Sequence, residues 1–291
     1  MSQDVMNDNG ASEIVRELSP FVTVRRGDWE LGRIGDYSLL HLIGTGGMAA
    51  VFLAINEVKY AAPVALKCVL PHLLNDKYIT DRFQREVGLM SKLDGDRFVR
   101  LLDSGSVNCP QSLYGMPYYC MDYVAGRTLR QKLDVWRRLP QLEVARIGKE
   151  IAIGLCQMHA NEILHRDLKP SNVLLDSERR ESVRIADFGL GFHEEFLCGD
   201  DLSLNRIVGT FQYLAPERWD GDRASGAKAD LFSLGCILYE SLTGQKPFSN
   251  EPFASVREEP CHPREYVSGL DLGLCDIVMQ LIEKEPDKRF A

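Results

Sequence analysis

The sequence predicts an α+β fold in which a strand-rich first part precedes a helix-rich second part. Three observations lead there. From Tyr37 the pattern reads strand, glycine turn, strand, with strands at Tyr37 to Ile43 and Val51 to Ile55. Two further apolar runs, Val64 to Val69 and Tyr118 to Val124, have the composition and length of strands, with one amphipathic helix, Asp81 to Leu93, between them. Helical periodicity then takes over at Leu142 to Asn161 and again from Asp230 to Thr243, where Gly244 ends the run.

Composition limits the functions open to such a chain. With 291 residues, 45% hydrophobic and 26% charged, it can bury a sizeable core as one large domain or two lobes. A formal net charge of -8 without a dense Lys/Arg block argues against nucleic acid and anionic membrane surfaces as partners. No apolar run reaches the roughly 18 to 20 residues needed to span a bilayer, and Met1 to Gly10 lacks the regions of a signal peptide, so a cytoplasmic location is expected. The eight cysteines are dispersed without a Cys-x-x-Cys pair, as expected of reduced, mostly buried thiols, with Cys198 set apart in a polar stretch. Residues 1–36 show no sustained period and are expected to be a mobile extension; Ile14, Val15, Leu18, Phe21, Val22 and Val24 supply the apolar content by which it could dock instead.

The elements carry chemistry in order. The turn Gly44-Thr45-Gly46-Gly47-Met48-Ala49 lets backbone amides approach phosphate oxygens closely, because glycine has no Cβ. Glycine turns join strands in many folds, so the turn alone decides little. Lys67 interrupts an otherwise apolar strand and needs a partner; Glu86, beside the stripe of Phe83, Val87, Met90 and Leu93, is the candidate. After the helix lined by Ile147, Ile151, Leu155 and Met158 comes His165-Arg166-Asp167-Leu168-Lys169-Pro170-Ser171-Asn172, followed by Asp187-Phe188-Gly189. Those segments hold a base, a cation and two metal-seeking side chains, which suits phosphoryl transfer: that reaction needs a hydroxyl held in line, a neutralised triphosphate and a fixed Mg²⁺.

On these motifs the chain resembles the protein kinase family from about Tyr37 to its C-terminus, and the phrase from Gly44 to Phe52 resembles the eukaryotic-like Ser/Thr kinases of bacteria. The resemblance implies a two-lobed fold. Residues 37–124 would form a small antiparallel-sheet lobe with one regulatory helix, and 125–291 a larger, mainly helical lobe whose last helix would lie beyond Ala291; the resemblance thus also implies, as the alternative to a cytoplasmic protein, the cytosolic domain of a longer membrane-anchored one. ATP with Mg²⁺ or Mn²⁺ is the implied cofactor pair, and protein serine and threonine the implied substrates. Lys67, held by Glu86, would contact the α- and β-phosphates, beneath a phosphate lid of residues 44–49 flanked by Ile43. Val51, Ala65, Met121 and Leu174 would line the adenine, which the Asp122 carbonyl and Val124 amide would bond. Asp167 would orient the substrate hydroxyl and take its proton, Lys169 would steady the phosphoryl group, and Asn172 and Asp187 would bind the metal. His165 is implied to be structural. Thr210 would bridge Asp167 and Lys169, Glu217 would pair with Arg289 in the larger lobe, and Asp230 would tie the catalytic loop's backbone in place.

Departures from the family pattern narrow the expectation. Ala49 stands where the third glycine is usual, giving a working but altered lid, and Thr128 stands where many relatives place a ribose-contacting acidic residue. Arg166 usually awaits a phosphate, yet Ser203 is the only hydroxyl residue between Gly189 and Val208. Either Ser203 is autophosphorylated, in trans within a homodimer, or carboxylates of Glu194, Glu195, Asp200 or Asp201 neutralise Arg166. A solvated acidic loop ordered by a substrate or partner is the third option. The competing class is a pseudokinase scaffold that binds nucleotide and partner proteins; retention of Lys67, Asp167 and Asp187 speaks against it.

Overall fold

The computed structural model describes Ile14, Leu18 and residues 31–108, 115–179, 182–188, 211–219 and 226–291. It divides into two compact units, residues 1–91 with 99–123, and residues 92–98 with 124–291.

The first unit is an antiparallel sheet of six strands: β1 (Gly32–Ile34), β2 (Tyr37–Thr45), β3 (Ala49–Ile55), β4 (Val64–Val69), β5 (Leu101–Val107) and β6 (Met116–Asp122). Their spatial order is β1-β2-β3-β4-β6-β5. Residues directly opposite share a face, so Phe52, Leu66 and Cys120 lie together and are fully buried. The other face carries Val51, Lys67 and Tyr119 in one row and Leu53, Ala65 and Met121 in the next. Helix α1 (Lys77–Met90) is seated on Tyr119 through Phe83, ring centroids 5.1 Å apart. It begins four residues earlier than its apolar stripe suggests, because the Asp76 carboxylate caps it by accepting from the amides of Tyr78 and Ile79.

Of the extension expected to be mobile over residues 1–36, the structure describes Ile14, Leu18 and residues 31–36, and these last include a strand. Gly32–Ile34 pairs with Tyr37–Leu39, Ile34 and Tyr37 are fully buried, and the Tyr37 hydroxyl donates to Asp103. Upstream, Ile14 and Leu18 are helical, and Leu18 is 1% exposed.

In the second unit a small sheet of β7 (Gly126–Thr128), β8 (Val173–Asp176) and β9 (Ser182–Ile185) accompanies helices α2 (Leu129–Trp136), α3 (Gln141–Ala160) and α4 (Ala227–Thr243). The short helices α5 (Ala254–Arg257) and α6 (Pro263–Tyr266) and then α7 (Leu272–Leu281) follow. Helix α3 buries Ile147, Ile151, Leu155 and Met158 along one stripe. Helix α4 is buried on nearly every side and stops at Gly244, whose φ of 73° is the left-handed cap that glycine adopts without steric cost. Segment 92–98 belongs here through the Arg97 carbonyl, which accepts from the Ile185 amide, and through Phe98, which meets Phe188 edge-on at 5.8 Å. No helix among the described residues is long and apolar enough to cross a membrane.

Arg289 closes this unit. Its guanidinium meets Glu217 in two parallel bonds of 2.7 and 2.9 Å and gives its remaining donors to the carbonyls of Glu283, Lys228 and Lys284. The group also lies over the Phe232 ring at 4.9 Å. All five N–H donors are used, a pattern a lysine cannot reproduce. Arg289→Met should therefore destabilise the unit by about 3–5 kcal/mol in denaturant titration, by leaving the Glu217 carboxylate buried and uncompensated. Arg289→Lys should recover less than half of that loss.

Candidate active site

The first unit supplies a cation and a cradle. Lys67 projects from β4 and Glu86 from α1, and the two side chains meet at 2.9 and 3.1 Å. Glu86 is wholly buried and the Lys67 side chain 10% exposed, so each charge depends on the other. The Lys67 ammonium also lies 5.7 Å from the centroid of the Tyr119 ring. Across β3, Val51 is opposite Lys67 on one side and Gly44 on the other, which brings the glycine turn to the edge of the same face.

The turn shows why its glycines are there. None of Gly44, Gly46 and Gly47 has a positive φ, and a Cβ built on them would meet nothing closer than 3.9 Å. Neither backbone conformation nor packing within the unit demands glycine, so the space kept open suits a ligand that approaches the main chain. Ala49, in contrast, is 5% exposed and paired with Val69, so its methyl group is seated inside the sheet rather than in that space. Met48 is tied by its carbonyl to the Leu70 amide, while Ile43 and Thr45 are exposed. At the far end of the sheet, Ala65 and Met121 are buried on the Lys67 face. The Asp122 amide donates to the Arg100 carbonyl, and its carboxylate takes two bonds from the Arg100 guanidinium, at 2.9 and 3.2 Å.

The second unit carries the residues expected to react. Asp167 and Lys169 meet at 2.7 Å, and the Asn172 amide nitrogen donates to the Asp167 carbonyl at 2.8 Å. The Asn172 carbonyl accepts from the Ala186 amide, which joins this loop to the residues before Asp187. Asp187 has a φ of 58° and Arg166 a φ of 64°, backbone conformations that cost energy unless their surroundings hold them. Two bonds hold Arg166 and its neighbour: the Asp230 carboxylate accepts from the amides of His165 and Arg166, each at 2.9 Å. The Arg166 side chain is exposed.

His165 is fully buried, near the Phe188 ring. Its Nε2 faces the Ala186 carbonyl at 3.1 Å, and a carbonyl only accepts, so Nε2 carries the proton. Nδ1 is then free to accept from the Asp167 amide at 3.3 Å. The ring acts on the loop's shape. One oxygen of Asp167, Oδ1, is buried without a hydrogen-bond partner. A buried orphan acceptor is costly, and beside an ammonium group it marks the place where a substrate proton would be received.

Within the second unit, the residues present fit a hard divalent cation. Asn172 and Asp187 offer oxygen donors, the set Mg²⁺ takes when substrate phosphates complete its shell. Among residues assigned to the adenine, Val51, Asp122, Val124 and Leu174 are half-buried. The Thr128 hydroxyl accepts from the Gln131 amide and forms a capping box that starts α2. Ser203 and Thr210, with the acidic residues 194–201, lie outside the described residues. Sequence reasoning missed three residues that the structure ties to the site: Arg100, His159, whose Nε2 lies 2.8 Å from Asp230, and Arg218, which donates to the Arg166 carbonyl. A histidine six residues before the loop motif was the one signal available for any of them.

Comparison with curated proteins finds similar chains among bacterial kinases. The chain is 32% identical over 262 residues to the serine/threonine-protein kinase PknB of Mycobacterium leprae, covering 87% of this chain and 40% of that protein. It is 31% identical over 259 residues to PknB of Mycobacterium tuberculosis, again 87% and 40% of the two chains. With a probable serine/threonine-protein kinase PknB of Bifidobacterium longum it shares 32% over 266 residues, 88% of this chain and 38% of the other. The chain thus spans about two fifths of the length of these relatives. The family model described as "Protein kinase domain" matches residues 37–291, and on that match the chain belongs to the protein kinase family.

Proposed function

We propose that this chain transfers the γ-phosphoryl group of ATP to serine and threonine hydroxyls of protein substrates. The observation that carries the reading is the Asp167 carboxylate, with one oxygen bonded to Lys169 and the other buried and unpartnered, on a loop held from below by Asp230. Asp167 Oδ1 would orient the substrate hydroxyl and receive its proton, while Lys169 stabilises charge on the moving phosphoryl oxygens. Lys67, fixed by Glu86, would neutralise the α- and β-phosphates, and the amides of residues 44–49 would cover the β- and γ-phosphates. Magnesium, held through Asn172 and Asp187, would supply the remaining charge neutralisation. The Lys169-Pro170-Ser171-Asn172 form of the loop and Thr210 support serine and threonine over tyrosine as acceptors. A cytoplasmic site of action is part of this reading; a supply of ATP and the six free cysteines among the described residues suit it.

Activation is read through Arg166, whose exposed guanidinium suits a phosphate placed on Ser203 by a second copy of the chain. Phosphate transfer from labelled ATP to the chain itself and to a generic basic protein tests the whole reading. Incorporation into serine and threonine should require Mg²⁺ or Mn²⁺ and should fall at least a hundredfold in Asp187→Asn. Nucleotide binding without any transfer, across a range of protein concentrations, would instead support a scaffold. Ser203→Ala should lower transfer to the added substrate about tenfold or more if the phosphoserine version holds; unchanged activity would assign the role to the neighbouring carboxylates.

Lys67 and Glu86 should behave as a unit. Lys67→Met and Glu86→Gln should each reduce kcat/KM by two orders of magnitude or more, and the double variant should be little worse than either alone. Additive losses in that cycle would show that the pair does not act through a single contact.

A further inference from the structure

Arg166 is gripped at both of its main-chain polar groups. Its amide donates to Asp230 Oδ1 at 2.9 Å, and its carbonyl accepts from Arg218 Nη1 at 2.6 Å. The second bond is charge-assisted and short. It bears on the peptide plane that joins Arg166 to Asp167, because that plane contains both the Arg166 carbonyl and the Asp167 amide. With φ of Arg166 at 64°, the plane is set in a conformation that an L-residue does not hold unaided. Asp230 fixes the near side of the residue; Arg218 fixes the side that leads into Asp167.

Arg218 is delivered from a rigid base. It ends the turn Pro216–Arg218, in which its own amide bonds to the Ala215 carbonyl. The residue before it, Glu217, is locked by Arg289. The residue after it, Trp219, stacks on Phe211 at 5.0 Å and on Phe253 at 4.3 Å, and its ring nitrogen donates to the Ser255 hydroxyl. A guanidinium held in this way places its donor with little loss of rotamer freedom.

We propose that Arg218 is a positioning residue for phosphoryl transfer: by holding the Arg166 carbonyl it sets the plane from which Asp167 is presented. This inference rests on the kinase reading above. It makes the geometry of the catalytic loop depend on the order of residues 211–219, the stretch that directly follows Thr210. Whatever orders or loosens that stretch, substrate docking included, then acts on Asp167 through one hydrogen bond. Small misplacements of a reacting group are expensive in rate, so the bond can matter far beyond its own strength.

The test compares steady-state kinetics of the wild-type chain with Arg218→Met and Arg218→Lys, each checked for its thermal midpoint. In Arg218→Met, kcat should fall at least tenfold while KM for ATP stays within twofold and the midpoint within a few degrees. Arg218→Lys should fall in between, since an ammonium can still donate to the carbonyl. An unchanged kcat in folded Arg218→Met overturns the proposal while leaving the kinase reading intact; a loss of kcat that only follows the loss of folded protein overturns it as well. If Arg218→Met does not fold, Arg218→Gln is measured in its place, and wild-type kcat there overturns the proposal. A wild-type chain that binds ATP but transfers nothing removes the kinase reading and this inference with it.

Discussion

The second unit is organised around one buried carboxylate. Asp230, 2% exposed in the first turn of α4, accepts from the amides of His165 and Arg166 and faces His159 Nε2. Burial pushes its carboxyl up, but the bond from His159, the proximity of His165 and the two amides outweigh that and hold it below the usual carboxylate range. An ionised carboxylate only accepts, so the proton of the His159 contact is on Nε2. Because the folded-state value is depressed, the stabilisation is fully present above the ordinary carboxylate range and is lost as pH falls from there through the depressed value. Helix α4 is buried along almost its whole length, so the anchor itself has nowhere to go. Arg166, Asp167 and Lys169 are in effect mounted on the most deeply buried helix of the unit.

Charge burial recurs in both units, with different consequences. Glu217 and Arg289 form a closed pair whose donors are all used, so its role is to fix the end of the chain against α4. Lys67 and Glu86 are joined by side chains from a strand and a helix, two separate elements whose relative placement sets the contact. The first pair suits permanence. The second suits control, because a displaced α1 would leave Lys67 without its counter-charge.

The sequence made the chemistry legible wherever the chemistry is a side chain. Lys67, Glu86, Asp167, Lys169 and Asn172 stand in motifs whose residue types and order already speak for phosphoryl transfer. The α+β class was legible too, from strand and helix periods in that order. What escaped was decided by hydrogen bonds that have no pattern in sequence. Asp76 starts α1 early because its side chain caps two amides, and Thr128 likewise caps the start of α2. Gly32–Ile34 is too short to show a period and becomes a strand only by pairing with β2. Arg100 bonds a neighbouring carboxylate and Arg218 a backbone carbonyl, contacts open to any surface arginine. The glycines at 44, 46 and 47 were read for what they permit; the structure adds that nothing else there requires them.

The central claim is that Asp230 holds the catalytic loop in its working shape, and Asp230→Asn tests it with little change in volume. Amide hydrogen exchange would be followed at His165 and Arg166 in both proteins, with kcat measured alongside. The account predicts faster exchange at those two amides by about 10- to 100-fold, the range expected for hydrogen bonds to a charged acceptor, together with a large fall in kcat and little change in ATP affinity. Amides that stay protected in a variant of normal kcat would show that the loop keeps its shape without the carboxylate, and the account would be wrong.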